Sequence, residues 1–398
     1  MFCSLIFVTL PFEMKKICFL VDSIFSFGGV QRVTAVIAKA LAKNYDVTIV
    51  TFDAPSTKDT TLYKLEETDI HYRFFQFPKS NHLKWKCSKI YSALYRKILP
   101  QTQLTSKWYS HSSFLSEKRN ALIQELQKGN YDVIIGVHAP LAVRLAACKP
   151  YLGETKLIGW IHNSYEALFG EKSLYVGSEL RKYYEYQLEK LHHTIVLCQY
   201  DARRYHFPTT VIYNPLTLTP GNLSTGNSKK FLAVGRFSRQ HKGFDLLIKA
   251  FHLFTQQQQE WTLDIVGEGV EESLYRQMIR EYGLQDRITI HPFTDHIQSY
   301  YSNAQIYVLS SRWEGFGLVL VEAMAHGLPI VSSDLPTSKE IMGDFGLYFE
   351  NENVEQLAQQ LNAATQLDWQ KKSQEALEIT KRFDLDTIIQ QWEKLIEG

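Results

Sequence analysis

A chain of 398 residues is long enough for two or three domains with sizeable cores, and its composition is that of an ordinary globular protein. The five cysteines are widely spaced and form no C-x-x-C pair, which argues against a disulfide framework or a zinc site and fits a reducing cytoplasm. The net charge of +1 conceals an asymmetry that predicts different partners for the two halves: residues 1–215 hold 27 Lys+Arg and 18 Asp+Glu (+9), and residues 216–398 hold 16 and 24 (−8).

The first thirteen residues, MFCSLIFVTLPFE, are apolar but too short to span a bilayer, and they lack the basic start of a signal peptide. Met14 follows and opens MKKICFLVD, which has the pattern of a first strand. We interpret residues 1–13 as an upstream-start artefact, and a short membrane-contacting segment is the alternative.

The first half alternates strand and helix patterns. KKICFLVD predicts a strand, SIFSFGG a loop that carries Gly28 and Gly29, VQRVTAVIAKALAK an amphipathic helix, and YDVTIVTF a second strand, which together form a βαβ unit. Further strands are predicted within 131–138, 155–163 and 193–198, and Pro140 suits the first turn of a helix. The pair His192–His193 lacks metal-ligand spacing and is interpreted as a strand start.

The segment Lys79–Arg119 is strongly basic, with nine Lys+Arg and one acid, Glu117. Helical spacing places six apolar residues on one stripe: Leu83, Cys87, Ile90, Tyr91, Leu94 and Ile98. Four cations fall on other faces, and two tryptophans are near: Lys86, Lys89, Arg96, Lys97, Trp85 and Trp108. This pattern is typical of a helix that lies on an anionic membrane surface. The alternative is a helix whose stripe packs on its own sheet.

The second half repeats the alternation after a Pro-, Gly- and Asn-rich segment at residues 214–230. We therefore predict an α/β protein made of two Rossmann-like, doubly wound domains at 1–213 and 214–382 that face a central cleft. A final helix is predicted for residues 383–398, with Asp386 as its N-cap. A return of this helix to the first domain is one of the arrangements that we consider. Ligands of such domains bind at the carboxyl ends of the strands, hence in the cleft.

The stretch SSRWEGFGLVLVEAMAHGLPIV (310–331) predicts a glycine loop between a buried strand and a helix. Glu314 sits in the loop, and Glu322 lies on the second turn of the helix. The unpaired N–H groups of the first helical turn make such a loop an anion site, which the two carboxylates would flank. The alternative is that Glu322 merely favours the helix dipole and Glu314 is solvated.

Two cations point to a diphosphate at the same edge of the second sheet. Arg236 follows a strand that ends at Gly235, and Lys242 comes six residues later, just before a helix. Neither half has a G-x-G-x-x-G or a P-loop fingerprint. Asp384–Asp386 matches a D-x-D metal motif in form, but it precedes the last helix, so capping is preferred to metal binding and no metal site is predicted.

The segments VGRFSRQHKGFDLLIKA, DIVGEG and SSRWEGFGLVLVEAMAHGLPIVSSD together resemble the retaining glycosyltransferases of family 4, which have the GT-B fold. Glu314 and Glu322 match the E-x₇-E motif of that family; FSFGGVQRV and GWIHNSYE of the first domain match it more weakly. By resemblance, Glu314 orients the donor sugar, Glu322 holds the ribose, and Arg236 and Lys242 neutralise the diphosphate. His162 would approach the sugar from the first domain. The remaining donor-binding positions implied are Gly28, Gly29, Gly235, Phe316, Gly317, Leu318 and Val319.

The resemblance implies a metal-independent hexosyltransferase that moves a hexose or N-acetylhexosamine from a nucleotide diphosphate sugar, UDP-sugar by preference, to a cell-surface glycan or lipid-linked acceptor. No enzyme nucleophile and no cofactor are expected, and nucleic acid is not an expected partner. The expected location is the cytoplasm, with peripheral contact at the inner face of the membrane through Lys79–Arg119. The alternatives are a GDP-sugar donor, for which Asp295 could meet guanine, and a catalytically silent partner subunit that binds nucleotide sugar. A two-domain epimerase is disfavoured because it would lack the E-x₇-E arrangement.

Overall fold

The computed structural model describes residues 14–398 except 172 and 174, so the prediction for residues 1–13 lies outside the described residues. The strands are β1 (Lys16–Val21), β2 (Asp46–Thr51), β3 (His71–Phe74), β4 (Val133–Val137), β5 (Lys156–Trp160), β6 (His193–Val196), β7 (Thr210–Val211), β8 (Lys230–Val234), β9 (Thr262–Val266), β10 (Ile288–His291), β11 (Ile306–Leu309), β12 (Ile330–Ser333) and β13 (Leu347–Phe349).

The helices of the first half are α1 (Gly29–Leu41), α2 (His82–Lys97), α3 (Gln103–Ser113), α4 (Ser116–Lys128), α5 (Ala139–Cys148), α6 (Tyr165–Phe169), α7 (Arg181–Leu188) and α8 (Gln199–Ala202). Those of the second half are α9 (Arg239–Lys242), α10 (Phe244–Thr255), α11 (Glu272–Glu281), α12 (Gln298–Asn303), α13 (Leu318–Ala325), α14 (Pro336–Met342), α15 (Val354–Ala364), α16 (Trp369–Thr380) and α17 (Leu385–Glu397). Pro140 lies in the first turn of α5, and His193 begins β6, as predicted.

The strands form two parallel sheets, one in each half of the chain. The first has the order β3-β2-β1-β4-β5-β6-β7 and the second the order β10-β9-β8-β11-β12-β13. In both sheets the order reverses next to the first strand of the domain, which is the doubly wound arrangement, so the predicted fold class is confirmed. The reversal leaves a crevice at the carboxyl ends of the strands, where ligands of this fold bind.

Each sheet is covered on both faces, as continuous apolar strands require. Alternate residues of β1 enter two different apolar clusters, with Ile17 and Phe19 in one and Cys18 and Leu20 in the other. The first of these clusters continues through Trp392 of α17 into the second domain. The two domains therefore share part of their core, and this shared core fixes the position of one domain relative to the other across the cleft.

The last helix returns to the first domain. Trp392 is fully buried, and its ring centroid lies 4.8 Å from that of Trp160 on β5. The Lys156 ammonium donates to the Ile396 carbonyl at 3.1 Å, and Lys15 pairs with Glu397 at 2.6 Å. These contacts tie the end of the chain to the sheet of the first domain.

The predicted N-cap of this helix is wrong. α17 begins at Leu385, with Asp384 at the cap position and Asp386 inside the first turn. Leu385 already packs against the core, so the chain becomes helical earlier than the polar pattern suggests. Asp386 instead lies beside the free N–H groups of the first turn, where the helix dipole favours a negative charge.

Helix α2 is attached to the domain by one face only. Tyr95 is buried, whereas the predicted stripe is largely exposed: Leu83 by 70%, Ile90 by 63%, Leu94 by 40% and Ile98 by 74%. Trp85 and Trp108 are also exposed. The alternative in which this stripe packs on its own sheet is therefore wrong for these four residues. In the part of the chain that the structure describes, no helix is both long and apolar enough to cross a membrane.

Candidate active site between the two domains

The loop between β11 and α13 is shaped by two glycines, as predicted. Gly317 has a φ of 85°, a left-handed conformation that favours glycine, and α13 begins at the next residue. A Cβ added to Gly315 would lie 2.3 Å from the carbonyl oxygen of His162. Gly315 thus allows the backbone of the first domain to approach the loop closely, and the loop forms one wall of the cleft.

Glu314 is a buried, paired carboxylate, so the interpretation of Glu314 as a solvated residue is wrong. Its Oε1 lies 2.5 Å from Lys242 Nζ and accepts from the Ser311 hydroxyl at 2.7 Å, and its Oε2 lies 3.8 Å from His241 Nε2. Burial acts to raise the pKa of Glu314, but the Lys242 charge and the His241 contact outweigh it and hold the pKa well below its usual range. Glu314 is therefore ionised at neutral pH.

The two predicted cations stand at the carboxyl edge of the second sheet in different states. Lys242 ends α9 and is nearly buried, and its stem runs along Gly235, where an added Cβ would lie 3.0 Å from the lysine Cε. Arg236 follows β8 and is exposed. The structure thus presents an exposed guanidinium, for which no hydrogen bond or ion pair occurs among the described residues, and an ammonium that already holds a carboxylate.

An aromatic layer covers the Lys242–Glu314 pair. The His241 and Trp313 rings stack with centroids 3.7 Å apart and an interplanar angle of 4°, and Tyr175 of the first domain meets Trp313 edge-on. Burial, and next the Lys242 charge, lower the pKa of His241. At neutral pH His241 is therefore an uncharged partner, and it reduces water access to the pair.

Glu322 lies deeper and is only 2% exposed. Its Oε1 accepts from the guanidinium of Arg32 on α1, and its Oε2 accepts from the Tyr301 hydroxyl at 2.9 Å. The Thr217 hydroxyl lies 3.5 Å from Oε1. Glu322 is therefore an ion-pair partner between the two domains, and both of its oxygens are occupied.

His162 faces this loop from the end of β5. It is buried, and its Nε2 makes no hydrogen bond within the described part of the chain. Burial lowers the pKa of His162 well below its usual range, and the nearby His138 adds to the effect. His162 is thus a neutral imidazole with one nitrogen that makes no hydrogen bond within the described residues, and such a nitrogen can bond a ligand hydroxyl that reaches it.

The first glycine loop meets the second domain beside this site. Gly29 begins α1, and an added Cβ there would lie 3.4 Å from a methyl carbon of Leu318. The Gly28 N–H donates to the Tyr63 hydroxyl at 3.0 Å. Phe316 is buried and packs near Tyr213 and Phe383, whereas its neighbours Leu318 and Val319 are half-buried. The backbone at 316–319 is the start of α13, where N–H groups lack helical partners.

Several side chains that complete the site were not predicted from the sequence: Arg32, His138, His241, Tyr301 and Ser311. The position of one of them, His138, could have been predicted from the strand pattern. Strands β4 and β5 pair with Val137 opposite Trp160, so His138 and His162 end neighbouring strands and meet with ring centroids 5.4 Å apart. A histidine within two residues of the end of each of two adjacent parallel strands predicts this contact. The φ of 75° at His138, rare for a non-glycine residue, could not be predicted.

Two other predicted candidates lie outside this arrangement. The Asp295 side chain is 72% exposed and pairs with His296 at 3.5 Å. Asp384 and Asp386 stand at the start of α17. Among residues 14–398 other than 172 and 174, no group of three or more His, Cys, Asp and Glu side chains is placed to hold a metal ion.

Two family models match this chain, one for each domain. The model described as Glycosyltransferase Family 4 matches residues 27–219, and the model described as Glycosyl transferases group 1 matches residues 218–382. Together with two parallel α/β domains that enclose a cleft, these matches support a glycosyltransferase with the GT-B fold.

Individual relatives agree with this class. An uncharacterized glycosyltransferase of Haemophilus influenzae is 27% identical over 394 residues, covering 96% of this chain and 100% of that protein. The amylovoran biosynthesis glycosyltransferase AmsD of Erwinia amylovora is 24% identical over 402 residues, with coverage of 96% and 100%. Among solved structures, Anabaena HepE in complex with UDP-glucose is similar in fold, with a TM-score of 0.71, 22% identity, and coverage of 96% of this chain and 99% of that one.

Proposed function

We propose that this protein is a retaining glycosyltransferase that moves a hexose or N-acetylhexosamine from a nucleotide diphosphate sugar to a cell-surface glycan or lipid-linked acceptor. The observation that carries the proposal is the buried Lys242–Glu314 pair at the carboxyl edge of the second sheet, on a loop whose Gly315 lies against the His162 backbone of the first domain. In this assignment residues 1–213 bind the acceptor, residues 214–382 bind the donor, and residues 383–398 join the domains.

The diphosphate is assigned to the two cations. The exposed Arg236 would bind it, and Lys242 would share its ammonium between Glu314 and a phosphoryl oxygen. Backbone N–H groups at Phe316–Val319 would add neutral donors at the helix start. These groups stabilise charge as the nucleotide leaves, which lowers the barrier only if they hold the transition state more tightly than the bound donor.

The sugar is assigned to Glu314 and His162, with Gly28, Gly29 and Gly235 giving room for the backbone beside it. The pairing of Glu314 with Lys242 makes it a better hydrogen-bond acceptor for hydroxyls than a nucleophile. Retention would then arise by displacement on one face. The bond from the anomeric carbon to the diphosphate oxygen breaks, the acceptor oxygen bonds to that carbon, and the acceptor proton passes to the leaving diphosphate.

The ribose is assigned to Glu322, and this requires an exchange of partners. Both carboxylate oxygens are held by Arg32, Tyr301 and Thr217. A ribose that reaches this carboxylate must replace one of these contacts. We therefore assign the Arg32–Glu322 ion pair to the donor-free arrangement of the cleft.

UDP-sugar is the preferred donor, because HepE, which shares the fold, was solved with UDP-glucose. GDP-sugar is the alternative. A catalytically silent subunit is a weaker alternative, since Glu314, Lys242 and His162 are held in one arrangement.

The test is nucleotide release from a panel of UDP- and GDP-sugars, in the presence and absence of EDTA. Release with one panel member that survives EDTA is expected. Release that EDTA abolishes and Mn²⁺ restores would contradict metal independence.

We also propose that α2 and α3 touch an anionic membrane surface, so that a cytoplasmic enzyme can reach a lipid-linked acceptor. Support comes from the exposed Leu83, Ile90 and Ile98 on α2, with Trp85 and Trp108 beside them. Lysines and arginines surround these residues, with Glu117 the single acid between Lys79 and Arg119. Apolar side chains entering the interface, framed by cations, are the pattern of an interfacial helix.

A further inference from the structure

A cavity of about 870 Å³ opens on the first domain away from the cleft. Its walls come from α3, from Arg119 of α4, and from the segments that follow α5 and α7. Those two segments precede β5 and β6, so the cavity lies at the amino ends of the strands. The carboxyl ends, which form the proposed donor site, are at the opposite edge of the sheet. The cavity is therefore a separate place on the molecule.

The lining is strongly basic. Lys107, Arg119, Lys149 and Lys190 line it together with a single carboxylate, that of Glu189, which lies 3.5 Å from His206. Lys149 and Lys190 bond neutral groups. Lys149 Nζ donates to the Lys190 carbonyl at 2.6 Å, and Lys190 Nζ donates to the Gln187 side-chain oxygen at 3.1 Å. Four positive charges thus face one cavity with one negative charge among them.

Two buried donors in the same wall lack partners. Gln187 is only 1% exposed, and its Nε2 makes no hydrogen bond within the described residues. The same holds for Arg119 Nε. Buried donors cost free energy when they are unpaired, and each needs an acceptor oxygen. Both the charge and the donors therefore call for a ligand that carries several acceptor oxygens and negative charge.

Helix termini explain only half of this arrangement. Lys149 and Lys190 follow the ends of α5 and α7, where cations offset the helix dipole. Lys107 and Arg119 come from other helices and have no such role. Partial burial, and next the Lys107 charge, lower the pKa of Lys190, so Lys107 lies close enough to Lys190 for the two cations to repel each other. A bound anion would relieve that repulsion.

We propose that this cavity binds a phosphoryl group, held by Lys107, Arg119, Lys149 and Lys190, with the Gln187 amide as a neutral donor. A phosphoryl group offers three strong acceptor oxygens and a charge that guanidinium and ammonium groups recognise. Two residues that line the cavity, Lys107 and His111, belong to α3, and α3 lies beside α2 with its exposed surface. The phosphoryl group can thus come from a soluble molecule or from a lipid headgroup, and an experiment can distinguish the two sources.

The test uses inorganic pyrophosphate as the soluble probe in calorimetric titrations. All proteins carry Lys242→Ala together with Glu314→Gln, which weakens binding at the proposed donor site equally in each and leaves no buried carboxylate without its cation. The cavity variant adds Lys107→Gln and Lys190→Gln, and a control of equal charge adds Lys43→Gln and Lys182→Gln, two exposed lysines elsewhere. We expect the cavity variant to bind pyrophosphate at least about tenfold more weakly, because two charge-assisted contacts are lost. The control should stay within about twofold of its parent.

A second arm uses sedimentation with vesicles of phosphatidylglycerol. Loss of pyrophosphate binding alone identifies a soluble phosphoryl ligand, and loss of both pyrophosphate and vesicle binding identifies a headgroup. Equal pyrophosphate affinity of the cavity and control variants would overturn the proposal. The cavity and control substitutions leave the cleft untouched. Nucleotide release by these two variants, with the natural residues restored in the donor site, therefore tests the proposed transferase activity separately.

Discussion

At the scale of single residues, the site depends on how burial and charge set the state of each side chain. Glu314 and Lys242 are both nearly buried and neutralise each other. His162, buried beside His138, stays neutral. The E-x₇-E spacing predicted two carboxylates at one loop, but it could not show that each already has a cation. One partner, Arg32, is 290 residues away in the chain.

Removal of one member of the Lys242–Glu314 pair should both abolish transfer and destabilise the protein. Lys242→Met leaves a buried carboxylate without its cation, a change that costs about 3–5 kcal/mol. The double variant Lys242→Met/Glu314→Gln should recover most of this loss but remain inactive. Urea unfolding and nucleotide release measure the two effects. A single variant as stable as the wild type would contradict the pairing.

The neutral state of His162 predicts a pH dependence of stability. Burial lowers its pKa in the folded protein, so below about pH 6.5 the unfolded chain binds a proton that the folded chain does not. Stability from this residue is complete above that pH and declines as the pH falls. Between pH 6.5 and 5.5 the wild type should lose about 1 kcal/mol more than His162→Asn, because the unfolded histidine is already half protonated at pH 6.5. Urea unfolding at both pH values measures this, with His82→Asn as an exposed control. Parallel losses would refute a neutral, buried His162.

At the scale of elements, the position of each strand end and loop determines what can meet across the cleft. The strand and helix patterns of both halves predicted the parallel sheets, because buried apolar runs and amphipathic periods are local properties. Contacts between distant elements are not local, so the approach of Gly315 to His162 and the return of α17 to β5 had no signal in the residues themselves. The start of α17 was placed wrongly for the same reason.

Gly315→Ala should separate the loop from the first domain. The added methyl group would lie 2.3 Å from a backbone oxygen, which cannot move as a flexible side chain does. We expect nucleotide release to fall by at least about tenfold, since small misplacements at a reacting centre are costly. Gly221→Ala is the matched control, because its methyl group would have only ordinary contacts, at 3.7 Å and beyond. Equal activity of the two variants would show that this approach is unimportant.

The exposed stripe of α2 predicts binding to anionic vesicles. Replacing Lys86, Lys89, Arg96 and Lys97 with glutamine should weaken binding by about 1 kcal/mol per residue, and added salt should reduce the wild-type binding too. The control replaces four exposed lysines elsewhere: Lys43, Lys182, Lys371 and Lys394. Flotation with anionic and neutral vesicles is the measurement. Equal recovery of the two variants from anionic vesicles would assign the stripe to another partner.

At the scale of the whole molecule, two domains are joined by a shared core and by ion pairs across the cleft. The predicted GT-B fold is confirmed, because strand order follows from repeated βαβ units. The relative placement of the domains was beyond the sequence, since it depends on contacts such as Arg32 with Glu322. The charge asymmetry of the two halves was visible in the sequence, and the basic cavity lies within the basic half.

The Arg32–Glu322 pair should govern how easily the donor enters. In the proposed exchange the ribose competes with Arg32 for Glu322, so Arg32→Gln should leave the carboxylate freer. We expect tighter donor binding and little change in the rate at saturation, since ribose contacts are largely equal in ground and transition states. Glu322→Gln should weaken donor binding instead. Calorimetric titration of the matching nucleoside diphosphate measures both, and weaker binding by Arg32→Gln would refute the exchange.

The central claim is that the Lys242–Glu314 site cleaves the bond between sugar and diphosphate. The most direct measurement is the rate of nucleotide release from the best donor of the panel, compared among the wild type, Lys242→Ala and Lys371→Ala. Lys371 is an exposed lysine on α16 and serves as the control. We expect Lys371→Ala to match the wild type, and we expect the rate of Lys242→Ala to fall by at least about a hundredfold, as loss of a charge-stabilising group at the leaving oxygen does. Near-normal release by Lys242→Ala would contradict the account.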